Sequence, residues 1–146
     1  MSLLYADSSA LVGAYLPDEA DHADLRALVV EGAEGVVTSE LARLEVAGAA
    51  TAAMRRGRIA SANVLLGRFE ADCEEGLITL LALQPEHVLP RAYDLILDHR
   101  LRTLDAVHLA VALEEAPRVA GGEDVVLLTR DGDQAAAGRA LGLAVR

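Results

Sequence analysis

Residues 3–12 read Leu-Leu-Tyr-Ala-Asp-Ser-Ser-Ala-Leu-Val. An apolar run stops at an acid and two hydroxyls, and a second apolar pattern starts at Ala10. The first half reads as a buried parallel strand, which is covered on both faces and so is apolar throughout. The second half reads as a helix, with Ser8 or Ser9 able to cap it by accepting from its free backbone N–H groups. Asp7 then stands at the carboxyl end of the strand, the edge at which open α/β sheets hold ligands. It is either a cap or part of a site.

The pattern recurs downstream. Residues 19–30 read as a second, short helix. Residues 35–38 (Gly-Val-Val-Thr) read as a strand feeding a helix that Thr38 or Ser39 would cap, with Leu41, Leu44, Gly48, Ala49 and Ala52 near one face and Glu45 on the side of Leu41. Residues 59–73 give another helix, and 77–81 another buried strand. Pro85 suits the first turn of a helix reaching about residue 99, with Val88, Ala92, Leu95 and Ile96 inward. Residues 100–115 are helical by spacing, capped by Thr103, with Asp105 in the first turn. Residues 125–128 form a strand closing in Thr129-Arg130-Asp131, followed by a helix over 135–141 and a short strand over 143–145. Strands alternating with helices, with no linker or repeat, predict one α/β domain over 1–146 with a parallel sheet.

Composition agrees. Hydrophobic residues make up 53% of the 146 and aromatics only 3%, so the core must be built from Leu, Val and Ala. A single cysteine, Cys73, excludes an intrachain disulfide and is expected to be inert. With no basic leader and no run of about 20 apolar residues, a soluble cytoplasmic protein away from membranes is expected. The net charge of −10 argues against indiscriminate binding of polyanions. Local contacts to phosphate remain open to Arg55, Arg56 and Arg58, and to Arg100 and Arg102, although each also suits an ordinary solvated helix end.

Four acids share one description: Asp7, Glu45, Asp105 and Asp131 each follow a strand or lie in the opening turns of a helix. Each has a bland alternative, as a cap, a solvated helix face or a partner for the positive end of the helix dipole. Together they can converge, because all strand carboxyl ends of a right-handed α/β sheet lie along one edge. Clustered carboxylates repel, so convergence requires positive charge among them. Hard oxygen donors suit Mg2+ or Mn2+ better than zinc, and the sequence has no His/Cys cluster at ligand spacing. Carboxylates with such ions point to phosphoryl chemistry.

The runs Y-A-D-S-S-A-L-V, T-S-E-L-A-R-L-E-V, L-D-A-V-H-L-A-V-A-L and L-L-T-R-D, in this order and covering almost the whole chain, resemble the PIN-domain ribonucleases, most closely the VapC-type toxins. The resemblance implies an α/β/α sandwich with a central parallel sheet and a metal site made by Asp7, Glu45, Asp105 and Asp131. It places Ser9 and Thr129 as hydroxyls near that pocket and leaves Asp133 as an extra acid close to the fourth position. It further implies an endoribonuclease acting on tRNA or rRNA with Mg2+ or Mn2+, a homodimer, and silencing by a VapB-type antitoxin. His108 invites a general-acid role, but its three-residue offset from Asp105 turns it toward the core, and a structural histidine is expected. The competing readings are a non-catalytic binding module on the same scaffold and a phosphatase-like pocket. The second is disfavoured because the chain contains no lysine.

Overall fold

The computed structural model describes residues 1–146. In chain order the elements are β1 (Ser2–Ala6), α1 (Ser8–Tyr15), α2 (His22–Val29), β2 (Gly35–Ser39), α3 (Ala42–Arg55), α4 (Ala62–Glu74), β3 (Thr79–Leu81), α5 (Pro85–His99), α6 (Thr103–Glu114), α7 (Ala116–Val119), β4 (Asp124–Leu128), α8 (Gly132–Ala140) and β5 (Ala144–Val145). All strand pairs are parallel, in the order β3-β2-β1-β4-β5. The stretch that opens the chain is therefore the central strand, with Leu4 opposite Val36 on one side and Val126 on the other.

Alternation along β1 divides the core in two. Leu4 and Ala6 pack with Leu11, Leu25, Val46 and Phe69 from α1 to α4. Leu3 and Tyr5 face Leu95, Leu109 and Ala137 from α5, α6 and α8. The result is the expected three-layer α/β/α sandwich. From β1 the chain moves toward β2, whereas from β4 it moves toward β5 on the opposite side. The carboxyl ends of β1 and β4 thus flank the point where the winding reverses, the position at which open α/β sheets hold ligands. No helix is long and apolar enough to cross a membrane.

Several local expectations are corrected. Asp7, not Ser8 or Ser9, is the cap of α1, because the helix begins at Ser8, two residues before the apolar pattern starts at Ala10. Helix α3 begins at Ala42 with no side-chain cap; the Ser39 hydroxyl instead accepts from the Leu41 amide in the turn before it, and Thr38 donates to the Ala6 carbonyl. Thr103 is the first residue of α6 and caps nothing. The buried face of α3 is Ala42, Val46, Ala50 and Ala53, while Leu44 is 72% exposed. Small side chains let α3 approach its neighbours closely, and on this helix that outweighs the larger apolar area of Leu44.

Close approach also fixes α1 against α2. A Cβ built on Gly13 would lie 2.3 Å from the Leu25 Cδ1 atom, and Leu25 is itself buried. Alanine at this helical position gains about 1 kcal/mol in propensity, but overpacking costs about 1–3 kcal/mol. Gly13→Ala is expected to lower stability by about 1 kcal/mol, read as a lower urea midpoint at unchanged m-value; a raised midpoint would show that Leu25 has room to move.

Candidate active site

Asp7 leaves β1 with its backbone amide donating to the Leu128 carbonyl at the end of β4, 3.1 Å away, so the ends of the two strands are tied together. Its side chain is 1% exposed. Oδ1 accepts from the Ala10 amide at 2.9 Å and the Ser9 hydroxyl at 2.7 Å, and Oδ2 accepts from the Thr129 hydroxyl at 2.5 Å. Burial pushes this carboxyl above its ordinary range, and the bonds from Thr129, Ser9 and Ala10 pull it part of the way back. Ser9 and Thr129 are therefore where the sequence reading put them, but they face Asp7 rather than open solvent. Each has a further partner: the Arg130 amide donates to the Ser9 hydroxyl and the Asp131 amide to the Thr129 hydroxyl.

Asp131 caps α8 through Oδ1, which accepts from the Gln134 amide at 2.8 Å. Its Oδ2 accepts from Nη2 of Arg102 at 3.1 Å, and Nε of the same arginine donates to Oδ2 of Asp105 at 2.8 Å. Asp105 lies in the first turn of α6. The two carboxylates come from different elements, and one guanidinium spans them. Their side chains are 16% and 23% exposed, that of Arg102 79%. Gln134, fully buried, adds a second link by donating from Nε2 to the Asp105 carbonyl at 2.8 Å.

Glu45, in the first turn of α3, meets His108 of α6: Oε1 and Nε2 are 2.5 Å apart, and the other ring nitrogen lies 2.8 Å from the Tyr5 hydroxyl. Tyr5 and His108 are buried. Burial raises the Tyr5 pKa, so its hydroxyl keeps its proton. One ring nitrogen of His108 thus faces Glu45 and the other faces the Tyr5 hydroxyl, so neither is left without a partner. At Glu45 burial acts upward, but the hydrogen bond and charge of His108, with a bond from Ser8, leave the carboxyl below its usual range. His108 is thus the core histidine expected, with one end holding an acid.

The four acids consequently lie along one edge of the sheet, at the carboxyl ends of its strands. An open cleft of about 370 Å3 is lined by Ser8, Glu45, Arg102, Thr103, Leu104 and Asp105. As they stand, the side chains do not present three converging metal ligands. The positive charge required among clustered carboxylates is supplied by Arg102 itself.

The other predicted contacts fare differently. Arg58 is not free for phosphate: it grips Asp18 at 2.8 Å and Glu19 at 2.7 Å. Arg55 and Arg56 lie ten and eleven residues beyond Glu45, about 15 Å further along the helix axis. The structure does not bring them to the cleft. Cys73 is half-buried, and burial pushes its thiol up to about 11, so it is unreactive near neutrality. Sequence reading missed Tyr5, Gln134 and the bridging role of Arg102. Local signals existed for two: Arg102-x-x-Asp105 is an i,i+3 ion pair, and Asp131-x-x-Gln134 has capping-box spacing. Nothing local marks Tyr5, whose partner is 103 residues away.

A doubly wound parallel sheet with acids at the carboxyl ends of its strands defines an α/β protein of the class that handles ligands at that edge. The chain matches the family model of the PIN domain over residues 4–140, and it belongs to that family. No curated protein matches it in sequence. Among solved structures it is similar to VapC20 of Mycobacterium tuberculosis, described as a sarcin-ricin loop cleaving toxin, with a TM-score of 0.63 and 18% identity, covering 92% of this chain and 95% of that one. At that identity the likeness concerns the fold.

The raised pKa of Asp7 fixes the sign of a pH effect. A carboxyl that holds its proton more tightly when folded contributes stability below the unfolded value of about 3.9, and that contribution is lost as pH rises through the folded value. Asn at this position keeps an acceptor for Ala10 and Ser9 and can donate to Thr129, whose own proton then serves Gln134 at 3.0 Å. In EDTA, Asp7→Asn is expected to melt at or above wild type, with the difference growing from about pH 4 toward neutrality. A variant that melts lower at neutral pH would show that the charge on Asp7 is needed for the fold.

Proposed function

We propose that this chain is a metal-dependent endoribonuclease and the toxin of a VapBC-type toxin–antitoxin pair. The observation that carries the reading is the cation that Asp105 and Asp131 share at the sheet edge, where Thr129 ties Asp131 to Asp7 and Glu45 lines a cleft with Asp105. The donor set fits a hard divalent ion: all four are carboxylates, Asp105 and Glu45 are engaged through one oxygen each, and no cysteine competes. Mg2+ or Mn2+ bound there would supply Lewis acidity and lower the pKa of water at the phosphodiester.

What the chain contributes is placement and electrostatics. Ser9, Thr129 and Ala10 fix both oxygens of Asp7. His108, held from behind by Tyr5, fixes Glu45 and keeps it ionised, as a ligand or an orienter of the attacking water requires. Asp131 is fixed by Gln134 and offers its outer oxygen to the cleft side. Asp133, one residue into α8, is a neighbouring acid available to the same charge field. The RNA is a tRNA or rRNA met in the cytoplasm, and the VapB-type antitoxin covers the acidic groove. Leu89, Tyr93 and Leu97 are 50%, 64% and 62% exposed at a spacing of four on α5, and this stripe supports a homodimer.

Purified protein incubated with total RNA is expected to produce discrete fragments with Mg2+ or Mn2+ and none with EDTA. Asp7→Asn and Asp105→Asn should each reduce cleavage by about 100-fold or more, the scale of losing one preorganised electrostatic contact. His108→Gln, which leaves every acid in place, should cost about 10- to 100-fold, the range for a residue that orients a ligand from behind. Equal cleavage by Asp7→Asn would end the catalytic reading and leave the binding module. Tyr93→Asp should turn a sedimenting dimer into a monomer; a wild-type monomer would remove the dimer.

A further inference from the structure

We propose that Arg102 is a built-in counter-ion that competes with divalent metal for the Asp105–Asp131 pair and so sets how readily the site loads; this rests on the metal-dependent reading above. Arg102 precedes α6 in an extended conformation, and its side chain is 79% exposed. Both of its bonds go to Oδ2 atoms, at 2.8 Å on Asp105 and 3.1 Å on Asp131. The acids, by contrast, are largely covered: Asp131 is also held by the Gln134 amide, and the backbone of Asp105 is held by Gln134 Nε2 in the first turn of α6. Covered anions and a solvent-exposed cation make a seat with a removable occupant.

Two features make the occupancy competitive rather than structural. An exposed ion pair is worth little, because solvent screens it and the long side chain loses rotamer freedom on binding. The same pair of oxygens suits a hard cation of twice the charge. An ion engaging those oxygens cannot share their lone pairs with the guanidinium, and the two cations repel. When the acceptor oxygens are occupied for part of the time, the apparent metal affinity falls by the fraction of molecules in which they are free. Arg102 therefore screens the repelling acids when metal is scarce and weakens metal binding throughout.

The test uses the full chain and Mn2+ alone, with free Mn2+ followed by its electron paramagnetic resonance signal. Wild type, Arg102→Ala, Arg102→Gln, Arg102→Lys and Asp7→Asn are compared, and each melting temperature is taken with and without Mn2+. The two neutral variants are expected to bind Mn2+ at least about three-fold more tightly than wild type, with Arg102→Lys between. Without metal they should melt lower than wild type, and they should gain more on adding Mn2+. A residue that merely props the fold would lower the melting temperature without tightening Mn2+ binding. If the neutral variants bind Mn2+ no better than wild type while Asp7→Asn abolishes binding, Arg102 is no competitor and the metal-dependent reading stands. If neither wild type nor the neutral variants bind Mn2+ at millimolar concentration, both fall together.

Discussion

Three donors from two distant segments converge on the Asp7 carboxylate: the Ala10 amide and the Ser9 hydroxyl from α1, and the Thr129 hydroxyl from beyond β4. A carboxylate this deeply buried is tolerable only if its oxygens are satisfied. A helix start can satisfy one of them; the second needs a donor from another strand. That need is met because β4 lies directly beside β1, in a register that pairs Ala6 with Leu128 and leaves Thr129 level with Asp7. Thr129 in turn accepts from the Asp131 amide, so the same bracket that satisfies Asp7 positions the cap of α8. Site and sheet share one set of hydrogen bonds.

The four acids are stabilised in three physically different ways. Asp7 relies on neutral donors, which offset only part of the rise that burial imposes on its carboxyl. Glu45 is held by an imidazole and stays ionised. Asp105 and Asp131 share an arginine that solvent can reach. Asp7 and Glu45 are thereby shifted in opposite directions, one by burial and the other by its histidine partner.

The parts legible in the sequence are those with short-range causes. Buried parallel strands are apolar throughout, so β1, β2 and β4 could be read directly, and with them the edge on which Asp7 and Asp131 stand. Helix faces made of alanine were misread: in α3 the leucines drew attention, whereas packing distance selected Ala42, Ala50 and Ala53. Cap identities were misplaced by one to three residues, since Ser, Thr and Asp are all competent and only the actual helix start decides among them. The arginines were read by position along the chain, which cannot show that Arg58 is committed to Asp18 and Glu19 or that Arg102 reaches Asp131. Tyr5 was invisible as a polar residue because its apolar ring alone accounts for its place in the strand.

The charge balance acquires meaning once the ion pairs are known. Arg43, Arg58, Arg130 and Arg146 are each matched to a nearby acid, so much of the positive charge is spent inside the protein's own surface. With a net charge of −10 and no lysine, a polyanion meets repulsion at long range and few unengaged cations at short range. On the proposed nuclease reading this weakens general phosphate attraction and leaves recognition to the few groups at the cleft. It also bears on Arg102, an exposed cation at the acidic edge: a guanidinium placed there lowers the local negative potential. The acidity of the chain and the arginine beside its cleft thus act on one electrostatic balance, the first repelling polyanions at long range and the second offsetting two carboxylates locally.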